Sequence, residues 1–97
     1  MIVKQVSVFL ENKTGRLNEV TQLLGDAGLN MSAFTIADTS DFGILRLIVS
    51  DPDKAKEILK KNKFSVQTTE VILVKSPNRP GGLAKMLNLL QKEDVFI

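Results

Sequence analysis

A short polar pattern occurs twice in this chain and sets the tightest limit on its fold. Asparagine, glycine and leucine recur at the same spacing in Asn12-Lys13-Thr14-Gly15-Arg16-Leu17 and in Asn78-Arg79-Pro80-Gly81-Gly82-Leu83. Apolar residues match at the same offset of 66 positions, including Val8 with Val74, Val20 with Met86 and Leu24 with Leu90. Two unrelated strand-turn-helix units would share apolar positions but not this polar pattern, so we predict an internal repeat.

The repeat divides the 97 residues into a complete module, residues 1–70, and the first part of a second module, residues 71–97. The second part stops at Val95-Phe96-Ile97, where its second strand is expected to begin. An isolated strand and amphipathic helix are rarely stable alone. We therefore expect either a fragment of a tandem protein or a half-module that packs on a neighbour.

Residue spacing predicts the elements of the first module. Apolar and β-branched runs predict strands over residues 2–10, 29–39, 42–49 and 64–75. Helical spacing predicts one helix that starts after Arg16 and ends at Gly28, with Leu17, Val20 and Leu24 in the core. A second helix begins at Asp51-Pro52-Asp53, which supplies a capping side chain and a proline suited to the first turn.

The resulting order, βαββαβ, predicts an α+β fold of the ferredoxin-like type. This fold has a four-stranded antiparallel sheet with two helices on one face. The partial second module would add the start of another strand-helix-strand unit, with Leu83, Met86 and Leu90 on the core side of its helix. The uncovered face or the edge strands can meet another copy, so we expect a homodimer or tandem-module pairing through a sheet edge or face.

Composition removes several functional classes. The chain has no cysteine and no histidine, so it lacks a thiol nucleophile and the commonest metal ligand and general base. We predict no catalytic residue, no metal and no cofactor. A net charge of +2 without Trp or Tyr argues against nucleic acid, and the five lysines between Lys54 and Lys63 predict a solvated helix face. Without a leader or a long apolar run we expect no membrane partner and a cytoplasmic location.

The element order and the two turns resemble ACT domains, and the second turn, Asn78-Arg79-Pro80-Gly81-Gly82-Leu83, resembles them more closely. The chain is similar to stand-alone tandem ACT proteins of bacteria. The resemblance implies a small regulatory module that binds an amino acid between modules. It also implies that Asn12, Gly15, Asn78 and Gly81 lie near the ligand. Thr14 departs from the proline that is common in the family and present at Pro80.

Simple chemistry supports the same positions. A glycine before a helix lets a ligand approach the free helix amides, which suit the carboxylate of an amino acid. Arg16 could pair with that carboxylate, and Leu17 completes the motif. Across the sheet end, Asp38 and Asp41 could accept the ligand ammonium, while Phe42 and the glycine after it could allow close approach. Each residue also has a structural explanation, because Asn, Asp and Gly commonly form turns and an Arg in a first helical turn is commonly solvated.

Three functions therefore remain open from sequence. The first is a non-catalytic sensor that binds a small amino acid. The second is an interaction module that oligomerises without a ligand. The third is an acylphosphatase-like enzyme, since that family shares the fold and uses an Arg and an Asn, although its turn pattern is missing here.

Overall fold

The computed structural model describes residues 1–11, 13–39 and 41–97; Asn12, Ser40 and the side chain of Asp38 lie outside the described part. Its elements are β1 (Ile2–Glu11), α1 (Arg16–Asp26), β2 (Met31–Asp38), β3 (Phe42–Val49), α2 (Pro52–Lys61), β4 (Ser65–Ile72) and α3 (Gly82–Lys92). The first six follow the predicted βαββαβ order. The bounds of β3 are those predicted, whereas β4 ends three residues earlier than predicted.

The four strands form one antiparallel sheet in the order β2-β3-β1-β4. Central strand β1 pairs with β3 on one side and with β4 on the other, so β2 and β4 are the edges. This arrangement confirms the predicted ferredoxin-like fold. None of the helices within the described ranges is long and apolar enough to cross a membrane.

Side chains along each strand point alternately to the helix-covered face of the sheet and to its uncovered face. Val6, Val8, Leu45 and Leu47 are almost fully buried beneath α1 and α2, and Val20 of α1 packs on them. The opposite surface we call the open face. It consists of Val3, Gln5, Ser7 and Phe9 of β1, Ala33, Thr35 and Ala37 of β2, Phe42, Ile44, Arg46 and Ile48 of β3, and Ser65, Gln67, Thr69 and Val71 of β4.

Helix α2 forms as its sequence predicts. Asp51 is the N-cap, and its carboxylate accepts a hydrogen bond of 3.1 Å from the Lys54 amide, while Pro52 occupies the first turn. Ala55 and Leu59 are buried against the sheet. The Lys4 ammonium of β1 lies 2.9 Å from the Asp53 carboxylate, which links the start of α2 to the sheet surface.

Helix α3 lies apart from the sheet and its two covering helices. Across the described residues it contacts none of the other elements. The sequence placed Leu83, Met86 and Leu90 in a core, but Leu83 is 55% exposed and the helix has no facing sheet, so that prediction is wrong for this chain. Leu17 is also only partly covered, at 37% exposure, because it lies at the end of the sheet beside the first turn.

Candidate functional site

The two glycine turns have nearly the same backbone conformation. Gly15 caps α1 with φ 86° and ψ −5°, and Gly81 caps α3 with φ 82° and ψ −7°. Both angles lie in the left-handed region that favours glycine. No atom of the described residues lies within 4 Å of the position that a β-carbon would occupy on either glycine, so it is the backbone angle that favours glycine there.

The hydrogen bonds of the two turns also match at an offset of 66 residues. The Lys13 amide donates to the Glu11 carbonyl at 2.8 Å, and the Arg79 amide donates to the Pro77 carbonyl at 2.9 Å. The ends of α1 and α3 match as well, with amide-to-carbonyl bonds of 2.9 Å from Leu29 to Leu24 and from Val95 to Leu90. The sequence repeat is therefore also a repeat of local structure.

Each turn leaves helix amides available. Within the described residues, no side chain caps either helix, and no acceptor pairs with the amides of Leu17 and Asn18 in α1 or of Leu83 and Ala84 in α3. Two adjacent free N–H groups at a helix N-terminus can bind one carboxylate. The side chain of Asn78 is exposed and makes no hydrogen bond within the described part, so it is not the cap of α3.

Arg16 is held by acidic and aromatic neighbours in the first turn. Its guanidinium lies 3.5 Å from the Glu11 carboxylate, 3.2 Å from the Glu19 carboxylate and 5.8 Å from the centre of the Phe64 ring. Lys13 adds a 2.8 Å ion pair to Glu11. The hydrogen bond from Lys13 and the charges of Lys13 and Arg16 hold the pKa of Glu11 below its ordinary value.

The first turn opens into a cleft of about 170 Å³ at the end of the sheet. Four residues predicted from sequence meet there: Arg16, Leu17, Phe42 and Gly43. Ile36 of β2, which sequence reasoning did not select, lines the same cleft because β2 passes beside the end of β3. Asp41 is exposed just before β3, and the Thr39 amide donates a 2.8 Å hydrogen bond to the Phe42 carbonyl.

The second turn is open and more basic. Asn78 and Pro80 line a cleft of about 750 Å³ that also contains Lys75 and Arg79. A second cleft, of about 410 Å³, reaches Gly81 and Lys85. Sequence reasoning did not select these three cations, although aligning the two repeats shows that two of them are new charges in the second turn: Lys75 replaces Phe9, and Lys85 replaces Glu19.

The residue after the capping glycine differs between the turns. Arg16 follows Gly15, whereas Gly82 follows Gly81 and is buried. A β-carbon on Gly82 would collide with the Pro77 backbone carbonyl, so the second turn accepts no side chain at this position. No cavity in the described part joins the two turns, and the roles of the predicted site residues stay predictions.

Comparison with known proteins gives one family. The profile described as an ACT domain pair matches residues 1–97. A solved protein of Bacteroides thetaiotaomicron is 57% identical, with a TM-score of 0.95 over 100% of this chain and 67% of that chain. No curated protein matches significantly.

Two more distant structures share the fold. The ligand-free regulatory subunit of aspartate kinase from Thermus thermophilus is 13% identical, with a TM-score of 0.69 over 97% of this chain and 75% of that one. A solved structure described as an unknown protein from Galdieria sulphuraria is 17% identical, with a TM-score of 0.59 over 95% of this chain and 65% of that one. At these identities the likeness concerns the fold alone.

Proposed function

The chain belongs to the family of ACT domain pairs, and from this premise we propose that it is a non-catalytic sensor that binds a small amino acid where modules or subunits meet. ACT domains are typically regulatory modules that bind amino acids. The observation that carries the proposal is the repeated turn, in which a left-handed glycine precedes two helix amides that have no acceptor among the described residues. Such a turn can bind the carboxylate that every α-amino acid has.

The properties of edge strand β2 support a ligand site at an interface between modules or subunits. From Met31 to Ala37 this edge strand contains no charged residue and no Pro, the residues that commonly protect a sheet edge from pairing, and its one charged residue, Asp38, is at its end. It exposes Phe34 at 61% and Ile36 at 41%. Because Ile36 also lines the first cleft, a strand that paired with β2 would lie beside the first turn. We propose that the ligand is enclosed between the turn and that added strand.

The two turns are proposed to contribute unequally. Arg16 is engaged by Glu11 and Glu19, so the first turn offers mainly its backbone amides. At the second turn Gly82 leaves the approach free of a side chain, and Arg79 has no acidic partner within the described residues. We also propose that residues 1–70 form one ACT module and residues 71–97 the first part of a second.

Titration calorimetry with each of the twenty amino acids tests the proposal. We expect saturable heat from one amino acid or a few related ones. Gly15→Ala and Gly81→Ala should weaken this binding, because each adds a methyl group at the turn and strains the backbone. Absence of heat with all twenty amino acids would overturn the proposal.

Gly28→Ala is the matched control for these variants. Gly28 has φ 75° at the opposite end of α1, and a β-carbon on it would also meet no described atom within 4 Å. Gly15→Ala and Gly28→Ala should therefore cost a similar amount of stability, about 1–2 kcal/mol, from backbone strain alone. Only Gly15→Ala should lose affinity for the ligand; equal losses in both would show that the turn itself does not bind.

The engaged state of Arg16 supports one alternative, a module that oligomerises without a ligand. Its guanidinium is already paired within the chain, so it needs no external carboxylate. Light scattering with and without each amino acid separates the two functions. A stable oligomer whose mass and melting temperature no amino acid changes would favour the alternative.

A further inference from the structure

The first cleft lies where β3 has a glycine on the helix-covered face of the sheet. Side chains alternate along a strand, so residue 43 shares this face with Leu45, Leu47 and Val49, which are buried there. Gly43 is paired with Leu10 of β1, and β3 itself lies between β1 and β2. Because Gly43 has no side chain to fill the space between these neighbours, a cleft of about 170 Å³ remains at this end of the sheet.

Four apolar side chains from four different elements line this cleft. They are Leu10 of β1, Leu17 of α1, Ile36 of β2 and Phe42 of β3. Leu10 is buried, but the other three remain 37%, 41% and 43% exposed. The ring of Phe42 is held in place by Phe9, with ring centroids 4.8 Å apart. Exposed apolar groups that converge on one concave site are typical of a pocket for a small molecule.

The charged groups around the cleft are already paired with one another. The Lys13 ammonium lies 2.8 Å from the Glu11 carboxylate. The Arg16 guanidinium lies 3.5 Å from the same carboxylate and 3.2 Å from that of Glu19. Two cations and two carboxylates leave no net charge in this group. A charged ligand side chain placed here would lose its water without gaining an unpaired opposite charge from these four residues.

We propose that the first cleft selects an amino acid with an aliphatic side chain, such as valine, leucine or isoleucine. This inference rests on the proposed function, in which the turn binds the ligand carboxylate, and it assigns the ligand side chain to the cleft. The sizes agree, since an apolar cavity of about 150 Å³ can hold a molecule of benzene. Each methylene group that is buried adds to the affinity, whereas a polar group of the same shape loses hydrogen bonds to water.

Calorimetry with amino acids of matched shape tests this selectivity. Leucine has the branched shape of aspartate and asparagine, and valine has that of threonine. The aliphatic member of each pair should bind about tenfold more tightly or better, and alanine should be weaker by a similar factor, since one methylene group in an apolar pocket is worth roughly tenfold. Equal or tighter binding of the polar members overturns this inference and leaves the proposed function standing. Absence of heat with all twenty amino acids overturns both.

Two matched pairs of variants test the position of the ligand side chain. Gly43 lies within β3 and Gly25 within α1, so alanine can adopt either backbone conformation. Gly43→Ala adds a methyl group at the cleft and should weaken leucine binding about tenfold. Gly25→Ala should leave it unchanged, because a β-carbon there would meet no described atom within 4 Å.

The second pair removes part of the apolar lining. Leu17→Ala should also weaken leucine binding, whereas Leu87→Ala should not, since Leu87 lies on α3 outside the first cleft and is exposed to a similar degree, 39%. Leucine binding that neither Gly43→Ala nor Leu17→Ala weakens would take place elsewhere and would overturn the assignment to this cleft.

Discussion

At the residue scale, the two turns have the same backbone conformation but different charged side chains around it. Gly15 and Gly81 have the same left-handed geometry, but the residue that follows is Arg16 in one turn and the buried Gly82 in the other. Arg16 is surrounded by two carboxylates, whereas the corresponding second turn carries Lys85 where the first has Glu19. In the first turn the Arg16 side chain is thus engaged in internal ion pairs, whereas the second turn is cationic.

The ion pairs of Glu11 predict a pH dependence of stability. Because its pKa is lowered in the folded state, Glu11 contributes stability above its unfolded pKa of about 4.3. This contribution is lost as the pH falls through the lower folded value. Glu11→Gln should therefore destabilise the protein at neutral pH and have little effect at the acid end. Urea denaturation as a function of pH measures this; an equal difference at every pH would contradict it.

At the element scale, α2 depends on its first residues. The Asp51 carboxylate satisfies the Lys54 amide, which otherwise has no partner in the helix. Asp51→Ala should lower the free energy of unfolding by about 1 kcal/mol, whereas Asp51→Ser should retain most of the stability because serine also caps. Chemical denaturation of the two variants measures the difference. Equal stability of Asp51→Ala and the wild type would show that the cap is unimportant here.

Sequence predicts an element well where its signals are local. The start of α2 follows from Asp51 and Pro52, and β3 from an apolar run bounded by turns, so both were located correctly. The end of β4 was not located correctly, because the end of a strand depends on its partner strand. The partner of β4 is β1, and the hydrogen bond from the Leu73 amide to the Met1 carbonyl lies where β1 begins. Likewise the first cleft depends on Ile36 of a distant strand, which no local pattern reveals.

At the scale of the whole molecule, α3 extends the chain beyond its compact part. The radius of gyration is 15.8 Å, compared with about 12.5 Å expected for a compact chain of this length. The apolar spacing of α3 was recognised from sequence, but amphipathic spacing shows only that a helix has an apolar side. It does not identify what covers that side, and in this chain no other element does so among the described residues.

The repeat supplies a matched test of this separation. Leu24 of α1 and Leu90 of α3 occupy corresponding positions, but Leu24 is fully buried in the core, whereas α3 contacts no other element of the described chain. Leu24→Ala should lower the free energy of unfolding by about 2–5 kcal/mol through lost burial and the cavity left behind. Leu90→Ala should change it by less than about 0.5 kcal/mol, as expected for a site outside the core.

Urea denaturation of the two variants measures these differences in the free energy of unfolding, and hydrogen exchange measures the protection of individual backbone amides. Amides of α3 should exchange much faster than those of α1, because opening α3 breaks no contact with the sheet. The two leucines have the same chemistry and the same place in the repeat, so only their packing can separate the results. Equal losses from both substitutions, or equal protection of both helices, would mean that α3 is covered in solution, and its apolar side would then be a second interface of the chain.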